Sequence, residues 1–210
     1  MMSFSSDPEI DKAYSPSRAS PEGVFPAHMD LYRDRSLEVY RTRPHVARPP
    51  LRRGQRPGPD IVPAPGPGLS RRSSSSTAGY WRMLSKNESV YMAPALNARG
   101  ITLVAPDYSL APATSLEEIV RQMRAAIVWL HRHGVEHGID PERLFVGGHS
   151  AGGHLTGAVV AGRLAPAASA CRKNVIKGAM PVSGLFDLEP ITRSVRQRMD
   201  GAGPRTIRMR

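Results

Sequence analysis

The segment at residues 144–153, which reads Leu-Phe-Val-Gly-Gly-His-Ser-Ala-Gly-Gly, decides the fold. It begins with an apolar run typical of a buried strand, and the residues after it, 154–164, have helical character. A Gly-x-Ser-x-Gly sequence between a strand and a helix forms a sharp turn that lifts the serine hydroxyl clear of the sheet, and its glycines leave room for that turn. The pattern predicts that Ser150 is a nucleophile on an elbow formed with Gly148, His149 and Gly152.

Strands and helices alternate around this elbow. Apolar residues predict a buried strand at 101–105 and further strands at 143–147 and 176–182. Capping boxes at 85–88 and 115–118 predict helices that end near Gly100 and Gly134. Alternation of this kind indicates an α/β fold with a mostly parallel sheet and flanking helices, in which sites lie at the carboxyl ends of the strands. Ser150 falls at such an end.

Composition divides the 210 residues into four parts. Residues 1–40 are moderately helical and are interpreted as an N-terminal arm or cap. Residues 41–78 are rich in Pro, Arg and Ser, hold eight of the 20 prolines, and are predicted to be disordered and unable to form a central strand. Residues 79–193 form the predicted α/β core, and residues 194–210 form a basic, irregular tail.

The net charge of +11 comes from two segments outside that core. Residues 41–72 hold eight arginines against one acid, and residues 193–210 hold six against one, so the remainder is close to neutral. We therefore expect no nucleic-acid site. No apolar run is long enough for a membrane span, and the single cysteine suits a reducing compartment, so a cytoplasmic protein is expected. No metal or cofactor is predicted, and a homodimer is left open.

Three motifs, one of them the elbow, together carry a resemblance to a known family. Residues 79–82 read Gly-Tyr-Trp-Arg, 148–154 contain the elbow, and 182–190 read Val-Ser-Gly-Leu-Phe-Asp-Leu-Glu-Pro. Together they resemble the arylformamidase, or kynurenine formamidase, branch of the α/β hydrolases. The resemblance implies an α/β-hydrolase fold and cleavage of a formyl amide or ester on an aromatic amine, as in tryptophan catabolism, through an acyl-enzyme at Ser150. Residues 107–112 are also similar to hormone-sensitive-lipase-like esterases, so a carboxylesterase stays open.

The resemblance also implies the remaining site residues. The backbone N–H groups of Gly79, Tyr80 and Ala151 are the expected oxyanion donors, because such hydrolases use the residue after the nucleophile and an earlier Gly-rich loop. The side chains of Tyr80 and Trp81 are candidates for an aromatic substrate pocket.

The triad that would activate Ser150 looks incomplete. His154 is the only histidine after Ser150, and it precedes every later acid, whereas the expected order is acid and then histidine. Asp187, Glu189 and Asp200 are the acids that follow. The chain thus looks truncated at its C-terminus, and a catalytically inactive remnant is the alternative to an enzyme.

A displaced reading frame would explain two anomalies, the serine run at 73–76 and the Arg-rich tail after Ser194. The family reads His-Gly-Gly-Tyr-Trp after an apolar strand, whereas this chain has four serines, 73–76, and then Thr77 and Ala78. TCN serine codons read one base earlier always encode Phe, Leu, Ile or Val. The sequence therefore predicts a frame displaced before Ser73, restored near Gly79 and lost again near Ser194.

Overall fold

The computed structural model describes residues 7–46, 58–66, 68, 70–76, 79–162 and 175–192. The predicted tail 194–210, Thr77, Ala78 and Asp200 lie outside these residues. The elements, in chain order, are α1 (Asp7–Ala13), α2 (Pro16–Ala19), α3 (Val24–Thr42), β1 (Asp60–Val62), β2 (Ser70–Ser76), α4 (Ala93–Asn97), β3 (Ile101–Ala105), α5 (Leu116–His133), β4 (Ile139–His149), α6 (Ala151–Ala161), β5 (Ile176–Val182) and α7 (Glu189–Thr192).

These strands form one sheet in the order β1-β3-β2-β4-β5. β1 pairs antiparallel with β3, and the other pairs are parallel. The predicted α/β fold with a mostly parallel sheet is therefore confirmed. β3 and β5 have the predicted bounds, while β4 begins earlier, at Ile139, than the predicted start at Arg143.

The interpretation of residues 41–78 as unable to form a central strand is wrong for 70–76. β2 lies at the centre of the sheet, where Ser73 pairs with Leu103 of β3 and Phe145 of β4. The stretch has no proline, so every residue keeps the N–H that a ladder needs. Its polar sequence gives no sign of a strand. Its place in the sheet is determined by pairing with the two neighbouring strands.

β1 is a second strand within the segment predicted to be disordered. Ile61 and Val62 are buried, and they pair with Val104 and Leu103 of β3. The prolines at 59 and 63 flank this short pairing on an edge strand, where a missing N–H is tolerated. A brief apolar pair between prolines is too short to predict as a strand from sequence.

The predicted amphipathic helix after the second capping box is confirmed as α5. Its buried side chains, Ile119, Met123, Ile127 and Leu130, pack in the main core beneath the sheet. Ser115 accepts a hydrogen bond from the backbone N–H of Glu118 at 3.3 Å, as the cap requires. The Glu118 carboxylate instead accepts hydrogen bonds from Arg121 and Gln122.

The first capping box forms as predicted, but a long helix does not follow it. Ser85 and Glu88 satisfy each other's backbone N–H groups, and two short 3-10 turns at 86–88 and 90–92 lead into α4. Pro94 fits only the first turn of an α-helix, so the α-helix starts at Ala93.

Helices α1 to α3 correspond to the predicted N-terminal arm. Val39 of α3 is buried with Val62, Val90 and Leu103, which attaches the arm to the edge of the sheet. No helix among the described residues is long and apolar enough to cross a membrane.

Candidate functional site

Ser150 occupies a strained turn between β4 and α6. Its backbone angles are φ 57° and ψ −117°, a conformation that residues other than glycine rarely adopt. Its N–H donates to the carbonyl of Val182 at 2.9 Å, which ties the turn to the end of β5. Strain of this kind costs about 1–3 kcal/mol and occurs mainly at functional sites. The structure thus places Ser150 at the carboxyl edge of the parallel sheet, as the sequence predicts.

Two glycines allow this turn to close. A Cβ at Gly148 would lie 2.4 Å from the carbonyl oxygen of Gly152, the next glycine of the elbow. A Cβ at Gly153 would lie 2.7 Å from the carbonyl oxygen of Val182. Both distances are far below van der Waals contact, so the elbow needs glycine at these two positions.

The loop that begins at Gly79 is the second strained segment. Gly79, Tyr80 and Trp81 have φ of 101°, 51° and 60° in succession. A Cβ at Gly79 would lie 2.7 Å from the carbonyl oxygen of Met83, whose own N–H donates back to the Gly79 carbonyl. The loop is therefore a tight left-handed turn that depends on the glycine.

A cavity of about 220 Å³ joins this loop to the elbow. Ser150 and His149 line it together with Gly79 and Tyr80, so the elbow and the predicted oxyanion loop meet at one space. Ala151 is buried at the first position of α6, where a backbone N–H has no partner within the helix. This placement is compatible with the predicted donors Gly79, Tyr80 and Ala151, whose role stays a prediction.

The rest of the cavity wall comes largely from α3. Phe25, His28, Met29 and Tyr32 lie on it, with Ser20, Val24, Met83 and Leu84 completing the lining. Sequence reasoning missed these residues. The available signal was their spacing of i, i+3, i+4 and i+7, which places them on one face of a helix. The helical arm is thus part of the site.

Of the two aromatic candidates, whose rings meet edge to face with centroids 6.2 Å apart, only Tyr80 reaches the cavity. Tyr80 lines the cavity, and its hydroxyl donates to the carbonyl of Tyr14 in the arm. Trp81 is only 4% exposed, belongs to the main core and is not among the residues lining this cavity. Its ring meets that of His154 edge to face, with centroids 5.1 Å apart. The prediction that Trp81 lines the pocket is corrected, because its ring is buried in the core behind Tyr80.

Among the described residues after Ser150, the histidine and the two carboxylates do not form a triad with it. Among the described residues, none hydrogen-bonds the Ser150 hydroxyl. Burial lowers the pKa of His154, and its Nδ1 atom has no hydrogen-bond partner among the described residues. Asp187 accepts the N–H of Glu189 at 3.3 Å, which is the role of a loop cap. The structure therefore places these groups in packing and capping roles.

Comparison with known proteins identifies one matching family and several relatives of this chain. The alpha/beta hydrolase fold family matches residues 79–207. Kynurenine formamidase of Danio rerio is 32% identical over 87% of this chain, which spans 62% of the relative. Kynurenine formamidase of Salmo salar is 35% identical over 54% of this chain, which spans 36% of that relative.

Solved structures share the fold at low sequence identity. A protein of Silicibacter sp. tm1040 assigned as a thioesterase has a TM-score of 0.75 and 23% identity, over 95% of this chain and 76% of its own. An esterase of Pyrobaculum calidifontis has a TM-score of 0.59 and 19% identity, over 80% of this chain and 55% of its own. The family match over residues 79–207, more than half of the chain, shows that the chain belongs to the α/β hydrolase fold family.

Proposed function

We propose that the chain is a serine hydrolase that cleaves a formyl amide or ester of an aromatic amine, of the N-formylkynurenine type, through an acyl-enzyme at Ser150. One observation carries the proposal: the strained Ser150 turn opens onto the same cavity as the left-handed loop at Gly79. The identity to two fish kynurenine formamidases supports the choice of substrate class.

The proposed reaction has two halves. In the first half, Ser150 Oγ forms a bond to the formyl carbon as it loses its proton, and the carbonyl oxygen becomes an oxyanion that backbone N–H groups stabilise. The C–N bond then breaks, and the amine leaves with a proton. In the second half, water attacks the formyl carbon, one proton of that water passes to Ser150 Oγ as the ester C–O bond breaks, and formic acid leaves and ionises to formate.

The cavity supports an aromatic leaving group. Its α3 wall presents Phe25, Met29 and Tyr32, and Tyr80 faces it from the loop. Aromatic and thioether side chains pack well against a planar ring. A carboxylesterase is the alternative, supported by the similarity of residues 107–112 to hormone-sensitive-lipase-like esterases.

Labelling with a fluorophosphonate, which reacts with activated serines, tests the nucleophile. We expect modification of Ser150 and none in Ser150→Ala. Hydrolysis of an N-formyl aniline in preference to a 4-nitrophenyl ester supports the formamidase, and the reverse preference supports the carboxylesterase. A folded chain that neither reacts nor turns over is a catalytically inactive remnant, which would contradict the proposal.

We also propose the compartment, the substrate size, the lack of a cofactor and a test of the oligomeric state. The single cysteine supports a reducing compartment such as the cytoplasm. The near-neutral core supports a small-molecule substrate in preference to nucleic acid. The proposed mechanism needs no cofactor, and a homodimer is tested by measuring mass in solution.

A further inference from the structure

A pair of stacked tyrosines joins the N-terminal arm to the core beside the cavity. Tyr32 of α3 lines the cavity, and its ring stacks on that of Tyr91, with centroids 4.6 Å apart and an interplanar angle of 11°. Tyr91 belongs to the 3-10 turn at 90–92 and is not among the residues that line the cavity. We propose that Tyr32 selects substrates with a planar aromatic group and that Tyr91 is a positioning residue for its ring. This assignment rests on the proposed hydrolase function and names the residues that set its specificity.

The stack leaves only part of the Tyr32 ring for a ligand. Tyr91 covers one face of that ring, so the surface that lines the cavity comes from the opposite face and the edge. An aromatic ring of a substrate that packs there extends the stack to three rings. Aromatic pairs gain free energy from offset stacking beyond the area that they bury, and a puckered aliphatic ring lacks the flat π surface that this requires.

The backbone near both tyrosines is anchored in the protein. Val90, which precedes Tyr91, and Val39, about two helical turns after Tyr32 on α3, are buried in the same apolar cluster. Burial, together with the neighbouring Tyr32 side chain, raises the pKa of Tyr91, so its hydroxyl keeps its proton at neutral pH. Tyr91 is thus a neutral support that holds the Tyr32 ring in one orientation.

The neighbouring residues of the cavity wall suit the same ligand. Phe25 and Met29 lie on the same face of α3 as Tyr32, and Tyr80 lines the cavity from the Gly79 loop. Aromatic and thioether side chains make favourable contacts with a planar ring. Ser150 lines this cavity too, so a ring packed on Tyr32 occupies the space that the nucleophile faces. The arm thus recognises the aromatic part of the substrate, and the elbow acts on its formyl group.

A matched pair of amides tests the proposal. Acetanilide and N-cyclohexylacetamide have the same number of non-hydrogen atoms, but only acetanilide has a planar ring. NMR titration measures their affinities for the full chain and its variants, and turnover of N-formyl aniline gives KM and kcat. We expect Tyr32→Leu to weaken acetanilide binding by about 2- to 10-fold, the usual effect of losing an aromatic pair, and to change N-cyclohexylacetamide binding little. KM should rise with kcat nearly unchanged, because the stack is present both before and during bond breaking.

Variants at Tyr91 test the positioning role. Tyr91→Leu should weaken acetanilide binding although this residue lies outside the cavity lining, because the Tyr32 ring loses its support. Tyr91→Phe keeps the stacked ring and should retain the preference for acetanilide. The control is Leu31→Ala, which removes a neighbouring α3 side chain that is 40% exposed and outside the lining. It should leave both affinities unchanged.

The outcomes separate this proposal from the proposed function. Equal affinities of the full chain for the two amides, or equal losses of both affinities in Tyr32→Leu, would overturn the proposal even where fluorophosphonate labels Ser150. A Tyr91→Leu variant that binds acetanilide as the full chain does would overturn the positioning role. The expected preference in a chain that neither labels nor turns over would support the role of Tyr32 and overturn the hydrolase function.

Discussion

The ammonium of Lys86 lies 2.6 Å from Asp60 Oδ1, and the two side chains are 9% and 4% exposed. Tyr40 of α3 donates to the other Asp60 oxygen at 2.9 Å, and Lys86 also donates to the carbonyl of Gly58 at 3.0 Å. Burial and the neighbouring Asp60 carboxylate raise the pKa of Tyr40, so its hydroxyl keeps its proton and remains a donor. The network joins the helical arm, β1 and the turn after the Gly79 loop.

We predict that Lys86→Met destabilises the protein strongly. The substitution leaves the Asp60 carboxylate buried without a cation, which typically costs about 3–5 kcal/mol. Unfolding in urea measures the change. The matched control is Lys177→Met, which removes a 3.7 Å pair with Glu142 whose side chains are 36% and 54% exposed. That surface pair should contribute less than about 1 kcal/mol. Equal losses in both variants would contradict the buried network.

This network shows what the sequence could and could not predict. Lys86 lies in a capping box, a local pattern, and the hydrogen bonds of that box were predicted correctly, although the long helix after it was not. Asp60 lies among prolines, and its burial depends on a strand, a helix and a lysine that are distant in the chain. Local hydrogen bonding can be read from spacing, whereas burial of a lone acid is decided by tertiary contacts.

The same distinction applies to the strands and the site. β3 is an apolar run of which four of the five residues are buried, so its bounds were predicted. β5 was also predicted from its apolar residues, although most of its residues are exposed. The glycines around Ser150 revealed the elbow. β2 has no apolar residue, and only its pairing with β3 and β4 defines it. The α3 wall was missed because polar residues dominate that helix.

We predict opposite effects of two substitutions at Ser74. In the sheet, this position pairs with Val104 and Val146, which are buried. Ser74→Val should raise the free energy of unfolding by about 1 kcal/mol, because β-branched residues favour strands. Ser74→Pro should lower it, because proline removes a ladder donor in a central strand. Thermal unfolding measures both. If neither substitution has an effect, β2 does not contribute to the folded state.

The coding DNA gives an independent prediction for the same strand. A strand between two buried neighbours normally carries a continuous apolar run, whereas residues 73–76 are four serines. We predict that the neighbouring reading frame encodes apolar residues at these positions, followed by His and Gly before Gly79. Sequencing the gene and its transcript checks this. A neighbouring frame with polar residues or stop codons would refute the displaced frame.

We predict that Gly148→Ala disrupts the elbow. Its new methyl group would lie 2.4 Å from the Gly152 carbonyl oxygen, so the turn that presents Ser150 must shift. Fluorophosphonate labelling of Ser150 should be lost, and stability should fall by about 1–3 kcal/mol, as for overpacking elsewhere. The control is Gly100→Asn, where nothing lies within 4 Å of the new Cβ and asparagine tolerates a φ of 68°. Labelling that survives Gly148→Ala would contradict this geometry.

The half-buried ring of His154 predicts how stability depends on pH. Burial lowers the pKa of His154 below its ordinary value of 6.5, so the folded state disfavours the protonated ring. An unfolded chain has no such restriction and binds the proton at the ordinary pKa. As the pH falls below 6.5, the unfolded state therefore takes up more protons than the folded state, and the free energy of unfolding decreases.

The variant His154→Phe isolates this contribution. Phenylalanine keeps an aromatic ring against Trp81, whose centroid lies 5.1 Å from that of His154, and removes the unpartnered Nδ1. We expect the unmodified chain to lose more stability than His154→Phe between pH 7 and pH 5, because at position 154 only histidine can be protonated. Urea unfolding across that range measures both proteins. Parallel curves would show that His154 titrates alike in the folded and unfolded chains, which would contradict its partial burial against Trp81.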